Sequence, residues 1–277
     1  MIAAARFAAP AKLNLFLHVI GRRSDGYHLL QTAFRLIDLC DWVTIAPRDD
    51  GAIRLESDLP GVPADQNLAL RAAQALQKAT GVRAGATIRL EKRIPMGAGL
   101  GGGSSDAATT LIALNRTWRT GLSRDELASL GVALGADVPF FLFGCNAFGE
   151  GIGEVLAELE LAPAWYVVLT PQVAVSTAEI FSAPELTRAA KPIKITAFFK
   201  GFGRNDLEPV VCARYPEVAE HLAWLRSFGD ARMSGSGSSL FAEFASEAEA
   251  RAVVARIPET MRGFAVRGLD RHPLAVR

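Results

Sequence analysis

"PMGAGLGGGSSDAATTL", residues 95–111, places glycine at 97, 99, 101, 102 and 103 and then turns into apolar residues at helical spacing. A strand-like stretch, "ATIRLEKRI", runs straight into it. Successive glycines let backbone N–H groups converge on one point, and a helix N-terminus adds partial positive charge there. That combination suits an anion, phosphate above all. Ser104 or Ser105 is placed to cap the helix, and both offer hydroxyls to phosphate oxygens or a metal ion. Gly97 to Gly102 fits G-x-G-x-x-G, yet the dinucleotide reading fails. The acidic residue due about 20 positions on falls in "RTGLSRDEL", where Asp125 and Glu126 open another helix. No lysine follows the last glycine, so the P-loop pattern fails as well.

Upstream of the loop the chain reads mostly as strands. "LNLFLHVI" is rich in β formers, and "WVTIAPRDDGAIRLES" reads as two strands around an Asp-Asp-Gly turn. "NLALRAAQALQKATG" is a helix, with Asn67 or Asp65 near its start and Gly81 at its end. Downstream, Ser123 and Glu126 form a capping box, and "VPFFLFG" reads as a buried strand. Two more S-x-x-E boxes, Ser176 with Glu179 and Ser246 with Glu249, lie further on. "ARYPEVAEHLAWLRSFG" is a helix with Pro216 early and Gly229 at its stop. "DARMSGSGSSLFAEF" reads as strand around a tight turn. Strands and helices interleave without a regular βαβ rhythm. The expectation is an α+β fold in two domains, residues 1–155 and 156–277.

The 277 residues are 50% hydrophobic and 21% charged, with 30 basic against 29 acidic side chains and a net charge of +1. That balance gives no support to a nucleic acid or an anionic membrane as partner, although a pocket for one nucleotide needs only a few cations. Cys40, Cys145 and Cys212 are odd in number and far apart, with neither CxxC nor zinc spacing. Lys12, Asn14 and His18 break up the apolar start, so no signal peptide is expected. No run reaches the roughly 18 apolar residues of a membrane span. The expected setting is cytoplasmic, and the expected state a monomer or weak homodimer.

In "PAKLNLFLHVIGRRSDGYHLLQT", strand periodicity puts Lys12, Asn14, Phe16 and His18 on one face. Polar Lys and Asn alternating through so apolar a strand suggest a face that looks into a cleft. Asp137, in "GADVPFF", sits between a helix stop and a buried segment, surroundings that hold a carboxylate rigidly.

Taken together, these stretches resemble the GHMP kinases, the small-molecule kinases named for galactose, homoserine, mevalonate and phosphomevalonate. The family's nucleotide loop is matched by Pro95, Met96, Gly97, Ala98, Gly99, Leu100, Gly101, Gly102, Gly103, Ser104 and Ser105. The likeness runs in order from Pro10 through "GADVPFF" and "NDLEP" (205–209) to "SGSGSSLF". It implies a two-domain α+β kinase fold with ATP and an alcohol meeting in a cleft between the domains. It further implies that Lys12 and Asp137 are the catalytic pair, that residues 95–105 wrap the ATP phosphates and that Asn67 sits near the adenosine. Mg²⁺ would accompany ATP, with Ser104 or Ser105 as protein ligand. Within the family, "SDGYHLLQT" resembles members whose acceptor carries a cytidine diphosphate group. There Asn14 would place the substrate, and Tyr27, His28 and Phe181 would hold the cytosine. Homoserine, mevalonate and sugars carry no base to stack, which argues against them.

Overall fold

Two long strands, β1 (Ala5–Arg22) and β2 (His28–Arg48), form an antiparallel ladder around which everything else is arranged. In the computed structural model, which describes residues 4–57, 59 and 61–275, their connection is a short turn with Gly26 at φ 93°. The register shifts at Pro10/Ala11, Asn14/Phe16 and Val19/Gly21. Each bulge re-aims the side chains beyond it. The second corrects the one-face expectation: Lys12, Asn14 and Leu17 line a cleft. Phe16 and His18 instead lie together behind it, with Phe16 against Phe148 and Phe198.

The other edge of β2 takes three partners in turn. Thr32 to Phe34 pair with β5 (Ala147–Glu150), which forms a hairpin with β6 (Val155–Glu158). Trp42 to Arg48 pair with β4 (Gly85–Glu91), itself joined in parallel to β3 (Ile53–Leu55). The second strand expected around the Asp-Asp-Gly turn therefore pairs with β4 rather than with β2. Leu36 and Ile37 pair with β10 (Gly263–Leu269), returning from the far end of the chain. β10 continues into β7 (Trp165–Leu169), β9 (Leu240–Phe244) and β8 (Ala231–Met233).

Helices α1 (Leu68–Thr80), α2 (Gly102–Thr117), α3 (Arg124–Val132) and α4 (Val138–Phe143) cover the N-terminal half. Their core is built from Leu76, Leu111, Leu114, Phe140 and Phe141 packed on Val43, Ile45 and Ile88. The second half carries α5 (Thr177–Ser182), α6 (Ile195–Phe198), α7 (Glu208–Arg214), α8 (Pro216–Arg226) and α9 (Glu247–Val254). Leu17 and Val19 of β1 enter its core beside Val167, Leu169, Leu222 and Leu225. A third cluster, with Leu13, Phe16, Leu100, Tyr166 and Phe241, fills the space between the halves. Among the described residues, no helix is long and apolar enough to cross a membrane.

Two local expectations are corrected. "VPFFLFG" is the helix α4, not a strand: Pro139 stands in its first turn and Gly144 closes it at φ 81°. A fully buried apolar run has no polar face, so periodicity does not separate the two states. Neither Ser104 nor Ser105 caps α2; Gly101, at φ 73°, occupies that position and both serines lie inside the first turns. Asn67 does cap α1, accepting from the backbone N–H of Ala69 and Leu70.

Candidate active site

A cleft of about 530 Å³ opens between the halves, walled by β1, β2, residues 95–104 and the loop after β8. Lys12 enters it from β1. The side chain is only 3% exposed, its backbone N–H bonds Leu100 O at 3.0 Å and its ammonium donates to Asn14 Oδ1. Lys12 Nζ also lies 3.4 Å from Asp137 Oδ2, at the start of α4. The polar pattern of β1 and the carboxylate 125 residues later thus meet at one point. Asn14 is fixed from all sides. Its Nδ2 donates to Thr32 Oγ1 at 2.9 Å, and its backbone N–H bonds Ser234 Oγ at 3.1 Å.

The glycine loop leaves the N-terminus of α2 without a side-chain cap. Its first N–H groups and the positive helix end therefore face the cleft ready for an anion. Ser104 lines the cleft. Ser105 does not: it is fully buried and its hydroxyl donates to Pro10 O at 2.7 Å. Helical geometry sends adjacent serines to different faces.

The small-residue loop 234–239, read from sequence as a mere turn, completes the site. Ser234 Oγ donates to Gly99 O at 3.1 Å, and Ser239 N–H donates to Ala98 O at the same distance. A Cβ on Gly99 would stand 2.3 Å from Ser234 O. Asn205, in "NDLEP", holds this second loop by donating to Met233 O and Gly235 O, each at 2.8 Å. Asp206 accepts from the Val19 N–H at 2.9 Å.

Of the residues expected to hold cytosine, Phe181 on α5 lines the cleft. His28 lies outside its wall but packs on Phe181, with ring centroids 5.0 Å apart. Arg188, which the sequence reading missed, ties this corner together. It donates to His28 Nε2 at 3.1 Å, to Phe181 O at 2.9 Å and to Ala183 O at 2.7 Å. Burial, then Arg188 and Arg22, push His28 below the ordinary imidazole value. The ring is thus neutral at pH 7, with its proton on Nδ1 because Nε2 accepts. Tyr27 is 60% exposed in the hairpin connection and does not line the cleft. Asn67 does line it.

Lys92, Asp41 and Asp106 were also missed. Lys92 Nζ bonds both Asp41 Oδ2 and Asp106 Oδ2, the latter at 2.6 Å. Burial pushes the Asp106 carboxyl up to about 7; Lys92 opposes this and Asp41 adds to it. Burial also works against the Lys92 ammonium, but Asp106 and Asp41 outweigh it and raise Lys92 above its ordinary value.

This architecture, two interlocked small-residue loops with an ammonium–carboxylate pair beside them, is that of a small-molecule kinase. Residues 67–145 match the family described as GHMP kinases N terminal domain, and residues 188–263 match GHMP kinases C terminal. The chain belongs to the GHMP kinase family. It is 61% identical over 268 residues to the 4-diphosphocytidyl-2-C-methyl-D-erythritol kinase of Thiobacillus denitrificans, covering 97% of this chain and 96% of that one. The enzyme of the same name from Nitrosospira multiformis is also 61% identical, with 96% and 92% covered. A crystal structure of 4-(cytidine 5'-diphospho)-2C-methyl-D-erythritol kinase superposes with a TM-score of 0.84 at 36% identity, covering 95% of this chain and 99% of that one. Homoserine kinase from Cytophaga hutchinsonii shares the fold, with a TM-score of 0.72 at 16% identity and 98% and 96% covered.

Proposed function

We propose that the chain transfers the γ-phosphoryl of ATP to the 2-hydroxyl of 4-diphosphocytidyl-2-C-methyl-D-erythritol. The products are the 2-phosphate and ADP, and the step belongs to non-mevalonate isoprenoid precursor biosynthesis. The observation that carries the site assignment is Lys12 Nζ, 3.4 Å from Asp137 Oδ2, at the mouth of a glycine loop whose helix end is uncapped.

In this reading residues 95–104 hold the ATP phosphates and Asn67 lies beside the adenosine. Asp137 orients the 2-hydroxyl and takes its proton as the new P–O bond forms. The bond to the β-phosphate oxygen breaks and ADP leaves. Lys12 steadies Asp137 and the transferring oxygens; Asn14 places the acceptor. Positioning and electrostatics carry most of the acceleration, since phosphoryl transfer asks little covalent chemistry of the protein.

Among the described residues no three His, Cys, Asp or Glu side chains gather into a metal cage. If Mg²⁺ accompanies ATP, the Ser104 hydroxyl, which lines the cleft, would be its protein donor; Ser105 is turned away. When bound, Mg²⁺ supplies charge neutralisation on the phosphates.

Phe181 provides a face for the cytosine, and the neutral His28 offers an N–H to its edge, with Arg188 holding both. A cytidine anchor distant from the reacting hydroxyl uses remote binding energy to orient it. We place the protein in the cytoplasm. The test is thermal protection: CDP should raise the melting temperature of the wild type, and Phe181→Ala should remove that protection while leaving the protection by ATP. No protection of the wild type by CDP would contradict the cytidine reading.

A further inference from the structure

The phosphate loop is among the most flexible compositions a chain can have, with Gly97, Gly99 and Gly101 all at positive φ. Such a loop binds tightly only if something fixes its shape beforehand. Part of the restraint is in its middle, where Ala98 and Gly99 bond the 234–239 loop and Leu100 bonds Lys12. The ends are held differently.

Asp41 is fully buried on β2 and does not line the cleft. Its Oδ1 accepts from the N–H groups of Arg93 at 2.5 Å and Ile94 at 2.8 Å, the two residues before Pro95. Its Oδ2 takes the Lys92 ammonium, which reaches on to Asp106 in α2. At the loop's exit the same carboxylate lies against the first residue of α2, since a Cβ on Gly102 would stand 3.2 Å from Asp41 Oδ2. One carboxylate therefore bonds the segment that enters the glycine loop and, through Lys92 and Asp106, reaches the helix that leaves it. Its anchor is a strand paired on both sides, through Ala9 of β1 and through β4 from Trp42 onward. A carboxylate with no access to water is costly unless its hydrogen bonds and charge are met. Here two backbone N–H groups and an ammonium meet them, and all three belong to the residues leading into the loop.

We propose that Asp41 is a positioning residue for the phosphoryl donor: it acts through the backbone of residues 93–94 and through Lys92 to fix both ends of the glycine loop, without touching the nucleotide. The inference rests on the reading that this loop holds ATP.

Asp41→Asn keeps the shape but loses the charge, and one of its amide hydrogens faces a donor. Steady-state kinetics should show KM for ATP raised about tenfold, in keeping with hydrogen bonds to a charged group. The KM for the cytidylyl alcohol and kcat at saturating ATP should stay within about twofold. Lys92→Gln, which leaves both backbone bonds, should raise the ATP KM less. Combined with Asp41→Asn it should add little, as expected for groups acting as one unit. If Asp41→Asn does not fold, Asp41→Glu, with a longer carboxylate, is read by the same ATP-selective criterion. Lower melting temperature and active fraction with both KM values unchanged would overturn the proposal, leaving Asp41 a support of the fold alone. A fall in kcat at unchanged ATP KM would also overturn it. Wild-type ATP binding, titrated in the same series, tests the underlying reading separately: absence there refutes the loop assignment, whereas wild-type binding matched by Asp41→Asn refutes only the role of Asp41.

Discussion

In the proposed mechanism Asp137 is the residue on which the chemistry turns. Asp137→Asn retains size and removes the proton acceptor, so kcat should fall by about 10²–10⁴-fold, with ATP still protecting the protein against heating. A variant within a few-fold of the wild-type rate would refute the assignment. Phe181→Ala should raise KM for the cytidylyl substrate in line with the loss of about 1–3 kcal/mol of stacking, and leave KM for ATP alone. Lys12, Asn14 and Asp137, which line one cleft, stood out in the sequence as polar side chains in apolar segments, but it was the resemblance to GHMP kinases that joined Lys12 with Asp137. Asp41, Lys92 and Arg188 did not stand out. Each is an ordinary charged residue locally, and its role arises from partners as distant as the 160 positions that separate Arg188 from His28. The positions of Phe16 and His18 were misread because a bulge inserts one residue where period two was assumed. Ser104 and Ser105 could not be told apart until the helix start was known.

At the scale of elements, the two small-residue loops work as one. Both were visible in the sequence, and the composition of the glycine loop, set before a helix, suggested a phosphate site. The 234–239 loop did not, because nothing local says that its Ser234 will meet Gly99. That interlock makes neighbouring glycines unequal. Gly97 is at φ 66° with nothing within 4 Å of an added Cβ, so Gly97→Ala carries only the left-handed penalty of about 1–2 kcal/mol. Gly99→Ala adds a collision with the backbone of Ser234. Denaturant titration should show it the less stable of the two, and ATP affinity should fall with it. Equal stability for both would mean the loops do not hold each other. The misreading of α4 is of the same scale: a six-residue apolar run with five residues buried and no polar face gives periodicity nothing to work on.

Across the whole molecule, β1 and β2 serve both halves, and the C-terminal segment returns to the N-terminal one. His272 marks that return. It is buried against α2, with its Nε2 3.2 Å from Thr109 Oγ1 and its Nδ1 accepting from the Leu274 N–H at 3.1 Å. Burial, with Arg116 adding, pushes it from 6.5 down to about 4. The unfolded chain therefore binds a proton that the native one refuses between those values, so stability is lost as pH falls from 6.5 towards 4. The loss amounts to about 3 kcal/mol. His272→Gln should flatten that slope in melting temperature; an unchanged slope would place the acid sensitivity elsewhere. The α+β interleaving was legible from element types, but the return of β10 to β2 was not, since no local signal pairs strands more than 200 residues apart.

The central claim is that this cleft phosphorylates an alcohol bearing a cytidine diphosphate. It is tested most directly by ADP release from Mg-ATP with 4-diphosphocytidyl-2-C-methyl-D-erythritol, run beside homoserine, mevalonate and galactose. Release confined to the cytidylyl substrate is the expected result. Release with one of the base-free acceptors instead, or with none despite measurable ATP binding, would contradict it.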